Sequence, residues 1–208
     1  MARASLIPVG DAAALLRPAD PAQVPALLRA LDGQPGLGVR DLVPGADSLL
    51  IVFEEPPLAS DLASLARLLE EPLAPPPSAE AGATVHRIPV VYDGPDLDRV
   101  ARHAGIAVDE VIRMHAAADY RVAFVGFQPG FAYLSGLPPR LRTPRLDSPR
   151  PRVPAGSLGI GGEWTGFYPF ATPGGWNLVG RTDFVLFDPQ RSPPVRLAPG
   201  DLVRMVAS

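Results

Sequence analysis

The sequence contains no cysteine, and all 19 of its basic residues are arginine, so lysine is absent as well. Without cysteine there is no disulfide, no thiolate nucleophile and no thiolate metal site. Without lysine there is no Schiff-base amine, no Walker-type phosphate lysine and no biotinyl-lysine on this chain. A GC-rich coding sequence is the simplest cause of the deficit, and the chemical consequence is the same whatever the cause. Long apolar runs are missing too: nothing approaches the roughly 20 apolar residues of a membrane span. The N-terminal MARASLIPVGDAA lacks the apolar core of a signal peptide. The expectation is a cytoplasmic protein with no membrane partner. Histidine is scarce, and His86, His103 and His115 fall at unrelated spacings, so no metal is expected on this chain alone.

At 208 residues the chain can form one large domain or two small ones, and its 47% apolar content suits a globular core. The run LAPPPSAEAG (73–82) reads as a linker, because consecutive prolines favour extended geometry and the residues after them have little to bury. This predicts an N-terminal domain over 1–80 and a C-terminal one over 81–208.

In the first, Ala13 to Arg17 reads as a strand. Ala22 to Leu31 reads as a helix through Val24, Leu27, Leu28 and Leu31, with Gly33 as its stop. Gly38 to Val43 and Ser48 to Phe53 read as a hairpin about PGAD, and Leu58 to Leu69 as a second helix. The order strand, helix, strand, strand, helix predicts a small α+β layer with helices on one sheet face.

In the second, His86 to Tyr92 alternates like a strand. Asp96 to Ala104 and Val108 to Ala117 read as helices, the first closed by Gly105. From Arg121 onward helical periodicity disappears. Short apolar runs (Val122–Phe127, Ser157–Ile160, Asn177–Val179, Phe184–Phe187, Leu202–Val206) between Gly/Pro turns predict a β-barrel or sandwich.

That second region holds a basic block. From Arg121 through Arg181 there are seven arginines against only Asp147 and Glu163, a local charge of +5 in a chain of net charge −3. Such a block, rich in glycine, proline and aromatics, suits an anion-binding surface. Arg145 and Arg150 stand five residues apart in the repeats TPR and SPR and are candidates for two guanidinium forks on one carboxylate or phosphate. Arg181, in a G-R-T turn between two strand-like runs, is either a buried structural pair or a ligand clamp. His115, in the last turn of its helix, is a dipole partner or core histidine by the plainer reading, and otherwise the candidate general acid/base. The glycine runs at 156–162 and 174–175 are candidates to cradle phosphate through backbone N–H groups, though neither matches a P-loop. Ala155 to Gly159 resembles a nucleophile elbow only superficially, since Pro154 and a strand-like run flank it where a helix should begin. Phe127, Phe131, Tyr133, Phe167, Tyr168 and Trp176 read mostly as core, with one or two lining a pocket. A net negative chain without a recognised module argues against nucleic-acid binding.

These same residues carry a family resemblance. GFQPGFAYLSGLP (126–138), the TPR and SPR repeats, VPAGSLGIGG (153–162), TGFYPFATPGGWNLVGRT (165–182) and GDLVR (200–204) resemble the 5-oxoprolinase B-subunit family, also called the allophanate hydrolase subunit 1 or sporulation-kinase-inhibitor family. The match covers about residues 84 to 206. It implies a ferredoxin-like α+β domain followed by a mainly β cyclophilin-like barrel. It implies an ATP-dependent hydrolase that works with the homologous C subunit and the separate A subunit of the 5-oxoprolinase complex. Together they open 5-oxoproline to L-glutamate, with ATP as a cosubstrate bound with the partner. The alternatives it leaves open are a non-catalytic inhibitor of a histidine kinase and an allophanate- or urea-type amide hydrolase or carboxyltransferase subunit. A prolyl isomerase rests on barrel analogy alone.

Carried residue by residue, the resemblance points to His115 and Arg181 as catalytic. For substrate binding it points to Tyr133, Arg145, Arg150, Gly156, Ser157, Thr165, Tyr168, Gly174, Gly175, Trp176 and Thr182. Where family members more often carry a polar residue before the T-G pair, this chain has Trp164.

Overall fold

The computed structural model describes residues 3–32, 36–70 and 83–208, so the expected linker at 73–82 and the helix stop at Gly33 lie outside the described residues. The chain divides into two compact units, Met1–Ala81 and Gly82–Ser208. No helix among the described residues is long and apolar enough to cross a membrane.

The first unit is a four-stranded sheet with two helices. Its strands are β1 (Ser5–Pro8), β2 (Ala13–Arg17), β3 (Val39–Pro44) and β4 (Leu49–Phe53), in the order β1-β2-β4-β3 with every pair antiparallel. The helices are α1 (Val24–Leu31) and α2 (Ala59–Leu68). In β4 the period-two pattern buries Leu49, Ile51 and Phe53 while Leu50 and Val52 face away. Those three side chains meet Ala14 and Leu16 of β2, Leu27 and Leu31 of α1 and Leu65 of α2 in one core. The PGAD turn is closed by the Gly45 N–H donating to Ser48 O at 2.7 Å. α2 starts where Asp61 Oδ2 accepts from the Leu58 N–H at 2.9 Å. β1 is an addition to the expected elements. It is four residues long, half exposed and ends in a proline, which leaves too short an alternation to read and suits a sheet edge.

The second unit is built on a seven-stranded sheet. Its elements are β5 (Val85–Val90), α3 (Leu97–Ala104), α4 (Val108–Ala117), β6 (Asp119–Val125), β7 (Ala132–Ser135), β8 (Arg150–Val153), β9 (Ser157–Gly161), β10 (Trp164–Phe167), β11 (Thr172–Gly174), β12 (Asn177–Arg181) and β13 (Leu202–Ala207). The order is β12-β9-β10-β7-β6-β13-β5, with β8 and β11 forming a separate pair. β5 and β13 run parallel; the other neighbours are antiparallel.

The two edges of this sheet meet. Val91, just past β5, exchanges two backbone hydrogen bonds of 2.9 Å with Arg181 at the end of β12. The Gly94 and Asp96 N–H groups then donate to Val179 O and Leu178 O further along β12. The sheet is therefore nearly closed and barrel-like, which removes exposed edges. Its interior holds Ile88, Val90, Tyr120, Val122, Leu134, Leu158, Ile160, Phe167, Val179 and Val203, with Val100 and Val111 of the two helices in the same core.

One expected strand is corrected. Phe184 to Phe187 makes a single bridge, Phe187 to Val195, in place of a strand. Its neighbour is the return segment through Pro193 and Pro194, which have no N–H to extend a ladder. Asp96, expected as the first residue of a helix, instead precedes α3, and its side chain makes no capping bond.

Candidate functional site

Within the basic block, Arg121 donates to Gly200 O, Arg140 to Ala104 O and Gly105 O, and Arg181 pairs with Asp93. Two others, Arg145 and Arg150, and several of the block's glycines meet an aromatic face on the second unit. Phe131, Tyr168 and Trp176 are buried there with Val153 and Leu178, and Tyr133 and Trp164 pack half-buried against them. This cluster is separate from the barrel interior. The rings meet edge to face: Trp176 stands 5.3 Å from Phe131, 5.5 Å from Tyr133 and 6.3 Å from Tyr168. Tyr133 stacks on Phe124 at 4.3 Å.

Glycines make room for this face. A methyl at Gly161 would fall inside the Trp176 indole. One at Gly159 would lie 3.1 Å from the Trp176 Cβ, and one at Gly166 would lie 2.6 Å from Ala132 O and 3.4 Å from the indole. The run SLGIGG therefore serves to seat a tryptophan on strands β9 and β10. The phosphate cradle expected there is not what Gly159 and Gly161 form, since both sit in strand ladders under an indole, while Gly156 and Gly162 are positive-φ turn residues at either end of β9. Gly174 has a similar part, since a side chain there would meet the Tyr168 hydroxyl at 2.8 Å.

Arg145 lies at the rim of this face. Its guanidinium carbon is 6.0 Å from the centroid of the Trp176 ring, within cation–π range. The side chain is exposed, yet its backbone is pinned on both sides. The Asn177 Nδ2–H donates to Pro144 O at 2.9 Å, and the Leu146 N–H donates to Gly175 O at 2.7 Å. Asn177, fully buried, is oriented in turn by Arg99, whose Nε–H donates to its Oδ1 at 2.8 Å, and by its own bond to Ile160 O at 3.0 Å. An exposed cation on an ordered backbone is suited to meet an anion. Burial raises the pKa of the Tyr133 and Tyr168 phenols, while Arg145 pulls both down; Tyr168 is also lowered by a backbone hydrogen bond from Trp176. Both phenols remain protonated donors at neutral pH.

Arg150 does not join Arg145 as a second fork. Its Nη2 donates to Asp96 Oδ1 at 2.7 Å and its Nη1 to Trp176 O at 3.3 Å. Asp96 is buried, and its Oδ2 accepts the Leu178 N–H at 2.6 Å. A carboxylate taken out of water needs such partners. Arg150 is thus committed to neutralising Asp96, and the pair ties the start of α3 to β8 and β12.

His115 is fully buried in the barrel core, away from the role of proton relay. Thr165 Oγ1 donates to Gly159 O at 2.9 Å, so its lone pair accepts from His115 Nε2–H at 3.1 Å. Nδ1 then accepts from the Tyr92 hydroxyl at 2.9 Å. Both ring nitrogens are spent, and burial lowers the pKa to about 3. His115 and Thr165 together form a neutral strut from α4 to β10. This is the plainer of the two readings of His115.

The remaining candidates form the turn that joins β8, β9 and β12. Gly156 has φ +80°, donates its N–H to Tyr168 O at 2.7 Å, and leaves no room for a side chain against Thr182 O. Ser157 and Thr182 are buried, and Thr182 Oγ1 accepts from the Phe184 N–H at 3.1 Å. The Arg181 side chain is 56% exposed and pairs with Asp93 at 2.9 Å on the closing seam of the barrel. Gly175 contributes the carbonyl that holds Leu146.

Two further residues lie next to the face: Phe127, expected with the core aromatics but found exposed, and Gln128, which the sequence did not single out. Phe127 has φ +71°, a strained value for a residue with a side chain, and is 61% exposed with its ring against Phe131 and Tyr168. Beside it, the Gln128 Nε2 is buried with no hydrogen-bond partner among the described residues. Position in a G-F-Q-P-G turn is the only sequence signal for Gln128. Among the described residues no group of three or more His, Asp or Glu is placed to hold a metal ion.

Residues 3–197 match the family described as "Carboxyltransferase domain, subdomain C and D". The chain is 47% identical over 173 residues to the 5-oxoprolinase B subunit of Escherichia coli O157:H7, which covers 81% of this chain and 78% of that protein. Among solved structures, TTHA0988 is similar with a TM-score of 0.77 and 37% identity, over 95% of this chain. This chain spans only 40% of that relative's length. Kluyveromyces lactis urea carboxylase shares the fold at 20% identity, with a TM-score of 0.71 over 99% of this chain and 22% of that one.

Proposed function

The chain belongs to the carboxyltransferase-domain family, subdomains C and D, and on that premise we propose that it is the B subunit of an ATP-dependent 5-oxoprolinase. The observation that carries the reading is the 47% identity to a 5-oxoprolinase B subunit across most of both chains. Such a component acts with others; we assign the C and A subunits as the partners, and the opening of 5-oxoproline to L-glutamate as the reaction, in the cytoplasm where ATP is available.

5-Oxoproline is a lactam with one carboxylate, and its amide carbonyl is a poor electrophile. ATP supplies the phosphoryl group that activates the carbonyl oxygen, and two waters balance the conversion to glutamate, ADP and phosphate. This chain's part is binding and orientation. Arg145 takes the substrate carboxylate through its guanidinium fork. The Trp176 and Tyr133 rings form the wall against which the lactam lies. The Tyr133 phenol donates toward the carbonyl side. His115, Thr165, Asp96, Arg150 and Arg99 hold that surface in place without touching substrate. With no lysine and no P-loop, this chain leaves the ATP phosphates to a partner. The exposed Phe127 provides apolar surface beside the face for that partner.

We also read the units as domains 1–80 and 81–208, the first ferredoxin-like and the second a cyclophilin-like barrel. What supports the first is its strand order: β2, β3 and β4 take the places of the first three ferredoxin strands, and β1 takes the edge place of the fourth. What supports the second is the edge-to-edge bridge at Val91 and Arg181.

The test is complementation. This chain, expressed with its C and A subunits in a host lacking all three, should restore growth on 5-oxoproline as sole nitrogen source. No growth, with all three proteins folded, overturns the reading.

A further inference from the structure

A second basic feature lies apart from the Arg145 face. Beside β5, a depression of about 380 Å³ is lined by Arg87, Arg191, Arg196 and His86, with Phe184 and Val195 among its apolar walls and no acidic residue in its lining. Three of these cations carry a permanent charge in a chain whose net charge is −3. Their side chains are not used in the fold in the way Arg150 is. The Arg87 and Arg191 side chains are exposed and donate to no group among the described residues. Arg196 lies over the Phe184 ring at 4.9 Å, which fixes its plane without neutralising its charge.

Two carboxylates in the neighbouring chain, Asp201 and Asp188, already have partners. Asp201 Oδ2 accepts from His86 Nε2 at 2.8 Å and from the Ala198 N–H at 3.0 Å. Asp188 Oδ1 accepts the Gln190 N–H at 3.0 Å within its own turn. Like charges gathered round one hollow repel each other, and an anion placed among them relieves that repulsion.

We propose that the depression lined by Arg87, Arg191 and Arg196 is a binding site for a phosphate group. A lone carboxylate offers two oxygens and one charge, too few for three guanidinium forks. A phosphate offers three or more oxygens and close to two charges. The Phe184 face is covered by Arg196, so no aromatic surface remains to stack a base, and the phosphate itself is the recognised part. Its source is free phosphate or the phosphates of a nucleotide. The site stands independently of the 5-oxoprolinase reading, because none of its lining residues belongs to the aromatic face.

The experiment is a titration of the full chain with sodium phosphate, and separately with ADP and ATP, at constant ionic strength, following backbone amide shifts and heat. Saturable shifts at residues 85–87 and 191–196 are expected. In the double variant Arg87→Gln, Arg191→Gln the affinity should fall about tenfold or more, with melting temperature unchanged because both side chains are exposed. Arg145→Gln should leave phosphate binding as in the wild type. Tighter binding of ADP or ATP than of phosphate assigns the group to a nucleotide, and equal or weaker binding assigns it to free phosphate. No saturable shift, shifts confined to other residues, or undiminished affinity in the double variant would each overturn the site.

Discussion

Arg145 holds its guanidinium carbon 6.0 Å from the centre of the Trp176 ring, over a backbone anchored at Pro144 and Leu146. In the proposed reading Arg145 takes the substrate carboxylate, and this pairing sets its position before substrate arrives. Arg145→Gln should raise the KM for 5-oxoproline in the assembled enzyme by about tenfold to a hundredfold, with a smaller change in kcat, as expected for lost ground-state binding through a charge-assisted pair. Steady-state kinetics with varied 5-oxoproline checks it. An unchanged KM removes Arg145 from the site.

His115 should matter to stability and leave the chemistry alone. Its folded pKa is about 3, below the ordinary value near 6.5, so the unfolded chain takes up a proton at a higher pH than the native one. Stability from this residue is therefore complete above about pH 6.5 and is lost as pH falls toward 3, by up to about 1.4 kcal/mol per pH unit. Denaturant unfolding at stepped pH should show that slope in the wild type and a shallower one in His115→Gln. The pH–rate profile of a folded His115→Gln enzyme should keep the limbs of the wild type; a limb that vanishes would restore the proton-relay role.

Asp96 and Arg150 should prove energetically coupled. Asp96→Ala leaves a cation without its partner, and Arg150→Ala leaves a buried carboxylate. The second should be the costlier single change, about 2–4 kcal/mol after allowance for the 28% exposure of Arg150. A double-mutant cycle by urea unfolding should give a coupling of about 1–3 kcal/mol. A coupling near zero would mean that Arg150 is free to serve a ligand after all.

Gly161→Ala should unseat Trp176. The added methyl collides with the indole, an overpacking cost of about 1–3 kcal/mol. With Trp164 as the only other tryptophan, emission should shift to the red as Trp176 gains water. An unchanged spectrum and melting temperature would contradict the packing described.

Much of this architecture was legible from residue pattern. The helix at Val108–Ala117 and the hairpin about PGAD follow from periodicity and turn chemistry, and both stand where expected. Strands β7, β8, β10 and β11 did not show, because they are three or four residues long, and all but β7 contain Gly, Pro or Trp. Asp96 illustrates the harder limit. It sits at a helix start, where local chemistry predicts a cap, yet a tertiary partner 54 residues away takes its carboxylate. Arg145 and Arg150 look equivalent in sequence, and only the position of Asp96 separates the ligand candidate from the structural one. The glycine run was visible as unusual, but its cause, an indole lying across two strands, is a contact between β9 and a residue just before β12.

We propose that this chain contributes the Arg145 face to a 5-oxoprolinase assembled from several different proteins. The most direct measurement is 5-oxoproline-dependent ATP hydrolysis with the purified components mixed and omitted in turn. The account predicts turnover only when this chain and the C and A subunits are all present, and a large loss when this chain carries Arg145→Gln. No turnover in the complete mixture of folded components, or full turnover with this chain left out, would contradict it.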